Sequence, residues 1–196
     1  MCIRDRPSND SFTAPLATFP ASTNGIDEFR SNAFGGQLRG TLLAGNLFNG
    51  TVLNFELSED QEEVVNTQSF DIGNSLDVVT APGGAIVGVD FLDNLVRVSI
   101  PDDDSVGSQT IAYDISVARA AATGGNEFVI GGVNFGDLSD TTVKIGDQTA
   151  YLTSVSDQRI VGILPAFERT GDEILDVVVE SNGNTSIIDD AFRPLF

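Results

Sequence analysis

The sequence contains no histidine and no tryptophan, two tyrosines, one cysteine and one methionine, and 10 lysines and arginines against 29 aspartates and glutamates. Each shortage removes a class of chemistry. Without histidine a serine nucleophile has no imidazole base, and no Gly-x-Ser-x-Gly elbow is present. A single thiol, Cys2, leaves no disulfide and no cysteine-type zinc site. The lack of tryptophan and near-lack of tyrosine leaves no aromatic platform to mark out a pair of acids for glycoside hydrolysis. A formal net charge of −19 repels phosphate backbones, and no run of basic residues offers a local exception, so nucleic acid is not an expected partner. No stretch approaches the roughly 18 apolar residues of a membrane span, and no membrane insertion is expected.

What is there is a chain built to fold. Apolar residues make up 41% of it, with 13 phenylalanines, too many for a disordered acidic tail. Gly40 to Asn46 recurs 44 residues on as Gly84 to Asp90, and Leu53 to Leu57 recurs as Val96 to Ile100 at an offset of 43, after one deletion. Each copy reads as a buried apolar strand, a turn and an alternating strand. In Thr51 to Leu57, Leu53, Phe55 and Leu57 share one face and Val52, Asn54 and Glu56 the other, as in a half-buried strand. Asn49-Gly50, and Asp93-Asn94 in the second copy, mark the hairpins. A repeat of about 40 to 45 residues made of short strands is the spacing of a β-propeller blade, which cannot bury its faces without neighbours.

The first six residues, Met1 to Arg6, resemble a translated remnant of sequencing adapter and are set aside from the fold. Residues 7–100 read as terminal blades of a larger propeller whose remaining blades lie upstream. The composition then changes: 101–110, with Asp102-Asp103-Asp104, reads as an acidic linker. From residue 111 to 196, short strands alternate with turns about every ten residues, the rhythm of an immunoglobulin-like sandwich. The one expected departure is a helical turn at Ala118 to Ala122. The fold class is therefore all-β: partial propeller blades followed by an immunoglobulin-like sandwich.

Two resemblances add to this. Phe128 to Gly136, Val143-Lys144-Ile145-Gly146, Ser154 to Ile160, Leu164-Pro165, Asp176 to Val179 and Ala191-Phe192 occur in the order and spacing of the IPT/TIG family, which the second half resembles. The resemblance implies a β-sandwich of mostly secreted and cell-surface proteins, used as a spacer or binding module and without catalysis. The first half looks like closing blades of a glucose/sorbosone dehydrogenase-type propeller, on Asn24-Gly25-Ile26 with Leu38 to Leu43, and Leu76 to Val79 with Pro82 to Val87. That resemblance implies pyrroloquinoline-quinone chemistry for some members, through a general-base histidine that this sequence does not have.

Candidate sites compete with plainer explanations. Asp90, Asp93, Asp102 and Asp104 could gather oxygen ligands for calcium, but their spacing departs from an EF-hand loop, and turn and linker chemistry accounts for them. Asp137, Asp140 and Asp147 read as loop caps. Phe135, Phe167 and Phe192 fall where a sandwich needs core. The loops Asp137 to Asp140 and Glu168 to Asp172 are the better binding candidates, and Asn-x-Ser/Thr at Asn9, Asn49 and Asn184 reads as polar turns. No catalytic residue and no cofactor is expected. The sequence thus reads as a non-catalytic extracellular or cell-surface binding or scaffolding module, with a protein or carbohydrate ligand. The alternative is the C-terminal part of a pyrroloquinoline-quinone-dependent dehydrogenase whose active site lies upstream.

Overall fold

A computed structural model describes residues 16–102, 106–168 and 174–196. The expectations for the adapter remnant, for Asn9, for Asp103 and Asp104, and for most of the 168–172 loop fall outside these residues. The described chain is all-β, with no α-helix and a single 3-10 turn at Phe34–Gly36. Four strands, β1 (Thr23–Glu28), β2 (Leu42–Asn46), β3 (Thr51–Leu57) and β4 (Val64–Asp71), form an antiparallel meander. Strands β5 (Ser75–Thr80), β6 (Ile86–Asp90) and β7 (Leu95–Ser99) form a three-stranded sheet packed against it.

The repeat is present in the backbone with one adjustment. Leu42 pairs with Phe55 and Ile86 with Ser99, so both strands of the hairpin shift by 44 and the deletion that the side-chain pattern suggests does not occur. Both hairpins close through a four-residue loop that begins at a buried Asx side chain. Asn46 Oδ1 accepts from Asn49 N at 2.9 Å, and Asp90 Oδ1 from Asp93 N at 3.3 Å. Both loops end on a left-handed residue, Gly50 (φ 68°) and Asn94 (φ 56°). Such a corner needs an Asx acceptor at one end and tolerance of positive φ at the other, which explains why these four positions look alike in sequence. The half-buried reading of β3 fails. Val52, Leu53, Asn54 and Phe55 are all buried, because β5–β7 cover one face and the Phe19 ring lies 4.9 Å from Phe55 on the other.

The second half is a sandwich. One sheet holds β8 (Ile111–Ser116), β10 (Glu127–Val133), β13 (Tyr151–Ser156) and β14 (Arg159–Ile163), in the order β13-β14-β10-β8. The other holds β9 (Arg119–Ala121), β11 (Thr142–Ile145), β12 (Gln148–Thr149), β15 (Leu175–Ser181) and β16 (Asn184–Leu195). The segment expected to make a helical turn is instead an edge strand: Arg119–Ala121 pairs in parallel with Arg193–Leu195. Sheet pairing supplies its backbone hydrogen bonds without a helix, and Ala120 and Ala122 are buried while Arg119 and Ala121 are exposed, the alternation of a strand. Ile130, Val143, Ile145, Ile160, Val177 and Phe192, among others, fill the core at 0% exposure, at about 1.5–3 kcal/mol per large side chain before entropy. Phe135 and Phe192 are core as expected, and Phe167 packs its ring 5.2 Å from that of Phe192.

The two halves share apolar packing. Tyr113 and Val133 belong to the same cluster as Phe29, Leu43, Val52, Val78 and Ile86. Asn32 N donates to Tyr113 O at 2.8 Å, and Arg39 Nη2 to the carbonyl of Asp189. The segment read as linker ends in a buried Thr110 that donates to Asn134 O at 2.8 Å.

Candidate functional site

The join between the halves is organised by a turn and a carboxylate. The Pro82-Gly83-Gly84 turn is closed by Gly84 N donating to Ala81 O at 3.0 Å and lies on the β8/β10 pair where Asp114 stands opposite Gly131. Gly83 N donates to both oxygens of Asp114, at 2.9 and 3.0 Å. Asp114 is 8% exposed, and burial pushes its carboxyl above the ordinary range, against the pull of the N–H of Gly83, the side chain of Ser31 and the N–H groups of Gly131 and Gly84. Gly131 is required by proximity: a Cβ there would lie 2.1 Å from Gly83 N.

Around this contact runs a cleft with two adjoining lobes, of about 210 and 330 Å³, which share Glu28, Arg30, Asp114, Ile115 and Ala118. Arg30, Arg39, Arg119 and Arg193 line the first lobe, four of the ten basic residues of the chain. They come from the β1–β2 connection, from β9 and from β16, so sequence shows no basic run where the structure builds a basic cluster. Arg30 pairs with Glu28 at 2.5 Å, both side chains being about half exposed, and Arg39 Nη1 donates to Asn32 Oδ1 at 2.8 Å. Arg119 makes no ion pair among the described residues. The second lobe is lined by Asp27, Thr80 and Val117. The Thr80 hydroxyl is buried and, among the described residues, makes no hydrogen bond. Val117 holds φ 74°, a strained conformation for a β-branched residue.

The residues singled out in sequence lie elsewhere. Asp90 and Asp93 do come together, on Arg97: Nε donates to Asp90 Oδ2 at 2.7 Å and Nη2 to Asp93 Oδ2 at 2.9 Å. The hydrogen bond from Arg97 holds the buried Asp90 carboxyl below its usual range. That guanidinium holds one oxygen of each carboxylate, and Asp90 Oδ1 does at its hairpin what Asn46 Oδ1 does at the first. Asp102 is exposed, and Asp104 lies outside the described residues. No group of three or more histidine, cysteine, aspartate or glutamate side chains that could hold a metal occurs among the described residues. At the Asp137 to Asp140 loop, Asp137 Oδ1 accepts from Ser139 N (2.8 Å), Ser139 Oγ (2.6 Å) and Asp140 N (3.2 Å), a cap fully engaged with its own turn. Asp147 is exposed in the β11–β12 turn.

Fold and join together define an all-β protein in which an immunoglobulin-like sandwich is fixed to a two-sheet repeat unit. Residues 110–192 match the family model of the IPT/TIG domain. No curated protein matches the sequence. Among solved structures, an auxiliary nutrient binding protein from Bacteroides ovatus is similar at 21% identity and a TM-score of 0.38, over 46% of this chain and 22% of its own. One so described from Bacteroides thetaiotaomicron is similar at 16% identity and a TM-score of 0.38, over 45% of this chain and 21% of its own. The extracellular region of plexin A4 aligns with 90% of this chain and 17% of its own, at 15% identity and a TM-score of 0.40. The chain thus spans about a fifth of the length of these structures.

Proposed function

We propose that the chain is a non-catalytic binding and scaffolding module of a larger secreted or cell-surface protein, with the IPT/TIG domain holding the end of a row of repeated sheets. One observation carries this reading. The face of the first sheet that meets the second includes Leu43, Gly45 and Val52, with a Cβ on Gly45 coming 2.9 Å from Ser75 O. Moving 44 residues on, the same face of the second sheet is Val87, Val89 and Val96, joined by Val79 and Val98, and most of it is open to solvent. Val79, Val89, Val96 and Val98 are 49%, 46%, 66% and 54% exposed. A sheet surface built to the pattern of a packed one and left uncovered suits an upstream unit packing on it as the first blade of a ring packs on the last. The outer edge of β7 is also unpaired among the described residues, where β3 carries β4.

The repeat also supports a second reading: the chain as the C-terminal part of a glucose/sorbosone dehydrogenase-like quinoprotein whose catalytic residues lie upstream. Sequencing the coding DNA upstream of Pro7 separates the two. Further 44-residue units lacking a histidine and a basic cluster at their strand ends support the scaffold. Units carrying them favour the dehydrogenase, and coding sequence without any such unit overturns both.

A further inference from the structure

We propose that the cleft between the two halves binds a monosaccharide-sized organic anion that also carries hydroxyl groups, the chemistry of a hexuronate or a sugar sulfate. This deepens the reading of the chain as a binding module and rests on it. The first lobe, at about 210 Å³, is somewhat larger than a cavity of about 150 Å³ that takes up benzene, which suits one six-membered ring with its substituents reaching toward the adjoining lobe.

Its walls sort ligands by charge. Arg30, Arg39, Arg119 and Arg193 gather at one site in a chain of net charge −19, where long-range repulsion works against any anion. A guanidinium fork matches carboxylate and sulfate geometry, and Arg119, exposed and without an ion pair among the described residues, has its donors available. Glu28, Asp114 and Asp190 line the same lobe and would repel a second or third negative charge, while Glu28 and Asp190 can accept hydrogen bonds from hydroxyls. A neutral sugar would leave Arg119 unanswered, and a polyanion would meet the carboxylates. The ligand that satisfies both sets has one negative charge and several hydroxyls. The second lobe adds a buried hydroxyl without a partner, Thr80 Oγ1, a group expected to be satisfied when the site is filled.

The test is calorimetric or NMR titration of the full chain with glucuronate, galactose 6-sulfate, glucose and citrate in parallel, repeated on Arg119→Gln. Glucuronate, galactose 6-sulfate or both should bind, and at least tenfold more tightly than glucose or citrate. Whichever of the two binds shows which anionic group the arginines read. Arg119→Gln should weaken that binding at least tenfold while leaving the melting temperature unchanged, because the side chain is exposed and supports no neighbour. Glucose binding as well as glucuronate, citrate binding best, equal affinity in Arg119→Gln, or no binding of any of the four would each overturn the inference. A separate pull-down on immobilised neutral polysaccharides keeps the broader reading distinct: retention there with no response to the small anions leaves the binding module standing and removes only the anion site.

Discussion

Replacing Gly131 with alanine tests whether the two halves are one mechanical unit. Gly131 does not sit at positive φ, so the substitution carries no backbone penalty of its own and acts through space. The new Cβ would lie 2.1 Å from Gly83 N, 2.4 Å from Gly83 Cα and 2.8 Å from the Pro82 carbonyl carbon, all main chain, whereas ordinary contact begins near 3.4 Å. The Pro82-Gly83-Gly84 turn must therefore withdraw by more than an ångström. That lengthens the bonds from Gly83 N to Asp114, now 2.9 and 3.0 Å, beyond hydrogen-bond range and leaves a buried carboxyl short of a donor. Overpacking costs about 1–3 kcal/mol and a hydrogen bond to a charged group about 1.5–3 kcal/mol. The two overlap, so a net loss of about 2–4 kcal/mol is expected, or roughly 4–16 °C of melting temperature for a chain of this size. Scanning calorimetry of the parent and of Gly131→Ala reads this directly, and a cycle with Asp114→Ala should show coupling, since both changes remove one contact. A Gly131→Ala protein that melts within about 0.5 kcal/mol of the parent would refute the shared interface, because nothing else at this position could absorb the methyl group.

Asp114→Asn addresses the same contact through pH. Its carboxyl is raised in the folded state, so its contribution to stability is fully present below the unfolded value near 3.8 and is lost as pH climbs through the folded value. Asp114→Asn, which keeps an acceptor for Gly83 N, should flatten the fall in melting temperature just above that pH. It should leave the acid-side loss from Asp60, Asp90 and Asp137, whose carboxyls are lowered, and an unchanged profile would contradict the assignment. Phe192→Ala empties the sandwich core at a fully buried ring in contact with Phe167 and should cost about 3–5 kcal/mol by denaturant titration; a loss below about 1 kcal/mol would mean that the sandwich repacks freely. Val96→Thr with Val98→Thr should change stability by no more than about 0.5 kcal/mol each while lowering self-association in sedimentation. A large destabilisation would show that the valine face is already covered.

Strand existence, the two-part architecture and the repeat were legible because each rests on local signals. Apolar alternation set the strands, Asn49-Gly50 and Asp93-Asn94 the hairpins, and the order of motifs from Phe128 to Phe192 the sandwich. The misreadings share one cause. Thr51 to Leu57 alternates like a strand with a wet face, yet the second sheet and Phe19 bury both sides. Arg119 to Ala121 has the small residues of a helical turn, yet it becomes a strand because Arg193 to Leu195, more than seventy residues away, offers a free edge. At Asp90 and Asp93, read in sequence mainly as turn residues, what stayed out of sight is that Arg97 reaches back to both.

Composition and period establish that this chain is β-structured, strongly acidic, free of histidine and repeated at 43 to 44 residues, because these are properties of neighbours along the chain. Tertiary structure alone decided where the few positive charges meet. Arg119 and Arg193 meet through the pairing of β9 with β16, and Arg30 and Arg39 join them at one cleft because the two halves pack together, in part through the Pro82-Gly83-Gly84 turn held by Asp114. Contacts between distant segments depend on shape and distance in the folded chain, and no pattern read along the sequence contains them.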